Sequence, residues 1–406
     1  MPIQQWVRSC VALALCLAAC STGTANQVGP WFAASDASQR PETALDSSSE
    51  HADTSVADTS GADTSVADAD ATADATALTD APDQAQGEDT PQVQDSAEVA
   101  DTAPPSWRDW ASYPAVLQRA QPTELWLLGD IHGDYARLTK LLSAAGLSNS
   151  PKTAAKAKWL GGTATLVVLG DMVDKGKDSL QVLEFVQNLQ GAAQAAGGEV
   201  VVLLGNHEAE FLADPTAPKV SDFAGELLQN GIDPQAVAAG TAAPGGWLRN
   251  LPLAVRVGSW FACHAGDTHG QTLEQIEVQL EQGLSTGGFG APALSADDSL
   301  LEARLAPPWW EGQNSDPETV LTTSTTALGV QHLVQGHQPG DVQFADGSKR
   351  KAGKLFQKFG QVFLVDVGMS AAVGFSTGAL LHVHHKASGD TATVVTADGA
   401  ENGLWP

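Results

Sequence analysis

The apolar run TLVVL, residues 165–169, stops at Gly170 and is followed by Asp171, Asp174 and Lys175. Four other short apolar runs stop in the same manner. ELWLL leads into Gly129, Asp130 and His132, and EVVVLL leads into Gly205, Asn206 and His207. WFAC leads into His264, and HLVQ into Gly336 and His337. Runs this short and this apolar read as buried strands. In open α/β sheets, ligands collect in the crevice outside the carboxyl ends of the strands, so five such ends can serve one site. The glycines let the chain turn sharply where the polar side chains begin.

The segments between the runs set the fold class. YARLTKLLSAAG, DSLQVLEFVQNLQGAAQAAG and EAEFLAD have helical periodicity and alternate with the first three strands, which predicts a layered α/β architecture. Toward the C-terminus, QVFLVDVG, ALLHVHH and ATVVTADG are strand-like, without clear helices between all of them. The rising strand count predicts a two-sheet sandwich with mixed strands, flanked by helices, over residues 105–406. Segments 213–250 and 283–325 lack a clean period and are expected to be insertions beside the site.

The N-terminal quarter has a different character. VALALCLAAC, residues 11–20, follows Arg8 and is too short to span a bilayer. It has the form of a secretory signal segment, residues 1–20. Leu17 to Cys20, LAAC, resembles the bacterial lipobox, which implies a lipid-modified Cys20 and a cell-envelope location, with outer-membrane sorting compatible with Ser21. Residues 21–104 hold 17 acidic side chains against one arginine, in repeats such as ADTSVADTSGADTSVADAD. So polar a tract cannot bury enough surface to offset chain entropy, and a disordered acidic tether of about 50 Å root-mean-square reach is expected. Its charge argues against nucleic acid as a partner and leaves the lipid anchor as the only membrane contact. Cys263 is the single cysteine beyond position 20, so no disulfide framework is available.

Carboxylate, amide and imidazole donors at the five strand ends suit Mn, Fe or Zn better than Ca or Mg. Two such ions about 3.5–4 Å apart, sharing one carboxylate, would clamp the oxygens of a displacement at phosphorus. GDIHGD, GDMVDKG, GNHE, HAG and GHQP, in this order, resemble the signature of metallophosphoesterases (calcineurin-like) of the phosphoprotein phosphatase branch. The stretch from Gly170 to Leu212 and FLVDVGMSAAVG are most similar to bacterial Shewanella-like phosphatases. The resemblance covers about residues 122–385.

The resemblance implies that Asp130 and His132 hold one metal, that Asp171 bridges two, and that Asn206, His264 and His337 hold the second. It implies that a metal-bridging hydroxide attacks phosphorus while His207, oriented by Asp174, protonates the leaving oxygen. Lys175 and Arg304 would contact the phosphoryl oxygens. Two departures stand out: Lys175 replaces the family's usual arginine, and Glu311 sits after WW where an arginine is expected; Pro339, where many other metallophosphoesterases have a second histidine, favours the phosphoprotein phosphatase branch. Lysine cannot grip a phosphate bidentately.

The expected activity is hydrolysis of phosphomonoesters, including those on protein serine, threonine or tyrosine. The alternatives are hydrolysis of small phosphoesters such as dinucleoside polyphosphates, and a non-catalytic metal-binding surface module. Outside the five motifs the readings are plainer. Cys263 is expected to be a buried, inert thiol, His269 a surface loop residue, and His382, His384 and His385 structural or exposed, because they alternate across a strand. Trp309 and Trp310 are read either as a substrate wall or as a loop plug.

Overall fold

In the computed structural model, which describes residues 107–312 and 316–406, each of the five apolar runs forms a strand. The signal segment and the acidic tether lie outside the described residues. The first half of the domain runs through β1 (Val116–Arg119), β2 (Glu124–Leu128), α1 (Tyr135–Ala144), β3 (Thr165–Val168), α2 (Ser179–Ala195), β4 (Glu199–Val202) and α3 (Asn206–Ala213). Three short helices follow, α4 (Ser221–Gln229), α5 (Pro234–Ala238) and α6 (Gly245–Leu248), then β5 (Ala254–Val257) and β6 (Trp260–Cys263). Next come α7 (Leu273–Gly287), α8 (Pro292–Ser295), α9 (Pro317–Leu328) and β7 (His332–Gln335). Seven strands complete the chain: β8 (Val342–Gln343), β9 (Lys349–Arg350), β10 (Phe356–Lys358), β11 (Val362–Leu364), β12 (Ala379–Lys386), β13 (Gly389–Thr396) and β14 (Glu401–Trp405).

The strands build two six-stranded mixed sheets. One has the order β14-β13-β12-β2-β3-β4, in which β2, β3 and β4 are parallel and the C-terminal strands antiparallel. The other has the order β1-β5-β6-β7-β11-β10, with β6, β7 and β11 parallel. A single hydrophobic core holds side chains of both sheets, among them Leu127, Val167 and Val201 from the first and Phe261, Val334 and Phe363 from the second. The two-sheet α/β expectation agrees with this arrangement.

Two parallel triplets, one per sheet, place six carboxyl strand ends together. The helices that return the chain bury the faces their periodicity marks. In α1 these are Leu138, Leu141 and Leu142, and in α2 they are Val182, Leu183, Phe185, Val186 and Leu189. The start of α1 is capped by Asp134, whose carboxylate accepts the Arg137 N–H at 3.0 Å. The start of α2 is held from another helix: Glu226 of α4 accepts the N–H groups of Ser179 and Leu180 at 2.8 and 3.0 Å. The 213–250 insertion is thereby tied to the domain through α4, and among the described residues no helix is long and apolar enough to cross a membrane.

Candidate active site

The turns after the strands force ligand-type residues into unusual backbone shapes. Seven non-glycine residues among those described have positive φ, and five of them are His132, Asp171, Asp174, Lys175 and His337. Such conformations cost energy and persist where the surroundings impose them. Gly170 shows the constraint directly, since its φ is 95° and a Cβ there would lie 2.3 Å from the Gly205 nitrogen. The loops after β3 and β4 therefore touch backbone to backbone.

Glu208, on the first turn of α3 and fully buried, locks these loops together. Its two carboxylate oxygens accept the N–H groups of Asp171 (2.9 Å), Met172 (2.6 Å), Val173 (3.1 Å) and Gly205 (2.9 Å). Glu208 closes the GNHE motif, and nothing in the sequence marks it for this part. What a glutamate inside a motif does is visible only once the backbone groups around it are known.

The six sequence-predicted metal ligands are brought together at the strand ends. Donor atoms of His132, Asp171 and His207 lie within 4.8 Å of one another, and so do those of Asp171, His264 and His337. Asp171 belongs to both groups, with Oδ2 3.6 Å from His132 Nε2 and Oδ1 3.4 Å from His264 Nε2. Asp130 Oδ2 is 3.8 Å from His132 Nε2. Asn206 Oδ1 lies 3.0 Å from His264 Nε2 and 3.2 Å from His337 Nδ1. The far nitrogens of His132 and His264 are fixed by the carbonyls of Val173 (3.1 Å) and Leu169 (2.8 Å), an arrangement that orients ligating imidazoles.

The electrostatics of this cluster call for cations. Burial and the neighbouring carboxylate of Asp366 push Asp130 well above the ordinary carboxylate range. Burial opposes the charge of Asp171 too, but His264, His207 and His132 around it hold it well below that range. Burial would also lower His264, yet Asp171 and Asp130 bring it up to about 10. Burial, together with the positive neighbour Lys175, pushes His132 down to about 3. Asp130 Oδ2 and His337 Nε2 are buried with no hydrogen-bond partner. Orphaned buried acceptors next to converging carboxylate, amide and imidazole donors fit two divalent ions.

His207 is set apart by its partner. Its Nδ1 lies 3.0 Å from Asp174 Oδ2, which leaves Nε2 for a ligand. Its ring sits edge-on to that of His132, centroids 5.0 Å apart. Burial lowers its affinity for a proton, but Asp171 and Asp174 outweigh burial, so it lies above the ordinary imidazole range. The Lys175 ammonium is 2.8 Å from His132 Nε2, inside the cluster.

Arg304 stands at the rim, half exposed, and pairs with Glu302 at 3.2 Å. Glu302 in turn lies 3.9 Å from His337 Nε2 and 3.7 Å from Lys219 Nζ. Lys219 also pairs with Glu210, whose Oε1 accepts the Asn206 amide at 3.2 Å. This rim network of Lys219, Glu210, Glu302 and Arg304 was not legible in the sequence, because it joins two insertions with no motif. Glu311 accepts the Ala345 N–H at 2.9 Å and braces that turn. Trp310 is fully buried and acts as the plug, while Trp309 is half-buried and donates to Gln335 at 3.1 Å.

A sixth strand end contributes Asp366, after β11 and within FLVDVG, a residue with no expected role among the five motifs. Its Oδ1 accepts the Gly368 N–H at 2.8 Å, and the buried Arg350 donates to the Asp366 carbonyl as well as to Gln338 and Lys354. Cys263 is buried, and burial raises its thiol far above the ordinary range. His269 is 42% exposed and lies 3.6 Å from Asp267.

The calcineurin-like phosphoesterase family model matches residues 123–341, more than half of the chain and all five motifs. The chain belongs to this family. Family members use two divalent metals, in keeping with the two donor groups that share Asp171. Among curated relatives, Shewanella-like protein phosphatase 2 of Arabidopsis thaliana is 35% identical over 88 residues, 22% of this chain and 21% of that protein. A symmetrical bis(5'-nucleosyl)-tetraphosphatase of Neisseria meningitidis is 31% identical over 144 residues, 35% of this chain and 42% of that protein. The chain thus spans less than half the length of these curated relatives. Among solved structures, the cold-active protein-tyrosine phosphatase of a psychrophilic Shewanella species superposes with a TM-score of 0.56 at 21% identity, covering 72% of this chain and 82% of that one. That likeness concerns the phosphoesterase fold alone.

Proposed function

We propose that this calcineurin-like phosphoesterase hydrolyses phosphomonoesters, with phosphorylated protein side chains as its substrate class. The observation that carries the reading is the His207–Asp174 pair beside two donor groups that share Asp171. Asp130, His132 and Asp171 would hold one ion, and Asp171, Asn206, His264 and His337 the other. Bound there, two ions of the Mn, Fe or Zn class supply Lewis-acid activation of the phosphoryl group and of water.

The remaining steps belong to the chain's own side chains. His207 donates a proton from Nε2 to the leaving oxygen, and Asp174 keeps the ring oriented and favours its charged form. Lys175, aimed into the cluster, neutralises phosphoryl charge from one side, and Arg304 does so from the rim. The LAAC segment supports a lipid-anchored domain at the cell envelope, outside the cytoplasm.

A second reading, hydrolysis of a dinucleoside polyphosphate, rests on the similarity to the Neisseria enzyme. The test is metal content together with turnover of p-nitrophenyl phosphate and of phosphopeptides by the full chain, with and without Mn. Two metals per chain, and turnover lost in Asp171→Asn, is the expected result. Cleavage of a bis-nucleosyl tetraphosphate in preference to every monoester would transfer the assignment to the second reading. Two metals with no turnover on any phosphoester would leave a metal-binding module.

A further inference from the structure

His382 and His384 share one face of β12, two residues apart, at the end of the sheet opposite to the active site. In the antiparallel register with β2, His384 lies opposite Glu124 and His382 opposite Trp126. Glu124 opens β2 and Asp130 follows its close, a separation of about 20 Å along an extended strand. The indole of Trp126 stacks on the His382 ring at 3.4 Å with an interplanar angle of 11°, which fixes that ring.

One oxygen of Glu124, Oε2, lies 2.6 Å from His382 Nε2 and 2.9 Å from His384 Nδ1. Glu401, at the start of β14, reaches over Thr393 and sets Oε1 3.3 Å from His382 Nδ1 and 3.4 Å from His384 Nε2. All four ring nitrogens therefore face carboxylate oxygens. The two rings are 3.8 Å apart, so charging both would press like charges together. Donor atoms of Glu124, His382 and His384 all lie within 4.8 Å of one another. A neutral imidazole has one N–H and one lone pair, so each neutral ring points a lone pair at a carboxylate. A cation between them removes that conflict.

We propose that His382, His384 and Glu124 bind a divalent cation of the zinc class, with Glu401 accepting hydrogen bonds from the two ring nitrogens left over. Two imidazoles and a carboxylate are a zinc donor set. Carboxylates on the outer nitrogens of ligating histidines are its usual support. The donors would relax outward by a few tenths of an ångström to meet ligand distances of about 2.0–2.2 Å. His384 is 29% exposed and Glu124 38%, so solvent reaches the site and an ion can enter. Bound there, the ion ties β2 to β12 and, through Glu401, to β14, and it stabilises the C-terminal half of that sheet.

The test is zinc content of the full chain after equilibration with micromolar Zn2+ and removal of excess, compared with His384→Ala. A difference of one ion per chain is expected, whatever the occupancy of the active site. Phosphatase turnover with saturating Mn should be equal in the two proteins. Glu401→Gln should keep the ion with about 10-fold or more weaker affinity. Substituting Co2+ should give a component of the visible absorption, over that of the active site, that is missing in His384→Ala. Should His384→Ala fail to fold, Glu124→Gln, at a more exposed position, gives the same readout. Equal zinc content in the substituted and unsubstituted chains would overturn the proposal.

Discussion

Asp174 holds His207 and the start of α4 with its two oxygens: Oδ2 lies 3.0 Å from His207 Nδ1, and Oδ1 accepts the Phe223 N–H at 2.9 Å. One carboxylate thus orients the proposed proton donor and anchors the helix whose Glu226 caps α2. Its charge raises His207, with Asp171, against the opposing effect of burial.

Asp174→Asn keeps an acceptor for Phe223 and removes the charge. His207 would then lose its proton at lower pH, so the alkaline limb of the kcat profile should move to lower pH. The fall in kcat should be of order 10²-fold. An unchanged alkaline limb, measured with a phosphoserine peptide, would mean that His207 is not the proton donor.

His207→Ala should separate substrates by leaving group. A phosphoserine alkoxide needs a proton in the transition state, and p-nitrophenolate hardly does. The expected loss is about 10²–10⁴-fold on phosphoserine and much less on p-nitrophenyl phosphate. Equal losses on both would point to a binding role.

Lys175→Met should leave the metal content intact and lower kcat/KM by roughly 10- to 100-fold, the effect of one lost charged hydrogen bond. Lys175→Arg is the informative companion, because a planar guanidinium grips phosphate with two parallel bonds. Activity at or above that of the unsubstituted chain would show that the site accepts the family's usual residue.

Metal uptake should release protons. Asp130 lies above its ordinary range because of burial and Asp366, so it holds its proton to higher pH than a free carboxyl, and His264, raised to about 10 by Asp171 and Asp130 against burial, carries a proton near neutral pH before ions bind. Metal binding requires them bare, so affinity should rise with pH over the range 6–9. Titration calorimetry in buffers of different ionisation enthalpy reads the released protons. Chelation should abolish turnover and lower thermal stability by about 2.7 kcal/mol for an ion present at 100 times its dissociation constant.

Glu208→Ala should destabilise the domain while leaving every proposed ligand side chain in the sequence, although it frees the backbone N–H of Asp171. Four buried N–H groups lose their acceptor, at about 1–3 kcal/mol each when left unsatisfied, so a loss of about 4 kcal/mol or more is expected. Urea unfolding of the metal-free protein measures it apart from metal affinity.

Much of this architecture was legible because strand and helix periods differ and the residues proposed as ligands sit at fixed positions after the strands. The runs before Asp130, Asp171, Asn206, His264 and His337 are strands, and those residues meet at their carboxyl ends. The insertions were legible as insertions, but the contacts they make were not. The 213–250 segment carries α4, whose Glu226 caps a helix 46 residues earlier in the chain, and no local pattern marks such a partner. Likewise, Glu302 is one acidic residue among many until the fold sets it 3.9 Å from His337.

His382 and His384 mark the boundary most clearly. Alternation along a strand separates His385 from the other two, and the structure pairs His385 with Asp390 at 2.5 Å. That alternation argues against a shared site for all three, yet it also puts His382 and His384 on one face. Whether two histidines on a face make a site depends on what stands opposite, and Glu124 is 258 residues away from His382 in sequence. The sequence alone determined the strand and helix periods, the glycine-relieved turns and the family chemistry, because these are properties of neighbouring residues. Only the tertiary structure decided which charges meet, namely Asp366 beside Asp130, Lys219 beside Glu302 and Glu124 between two imidazoles. Such pairings depend on sheet order and register, which residues distant in the chain set jointly.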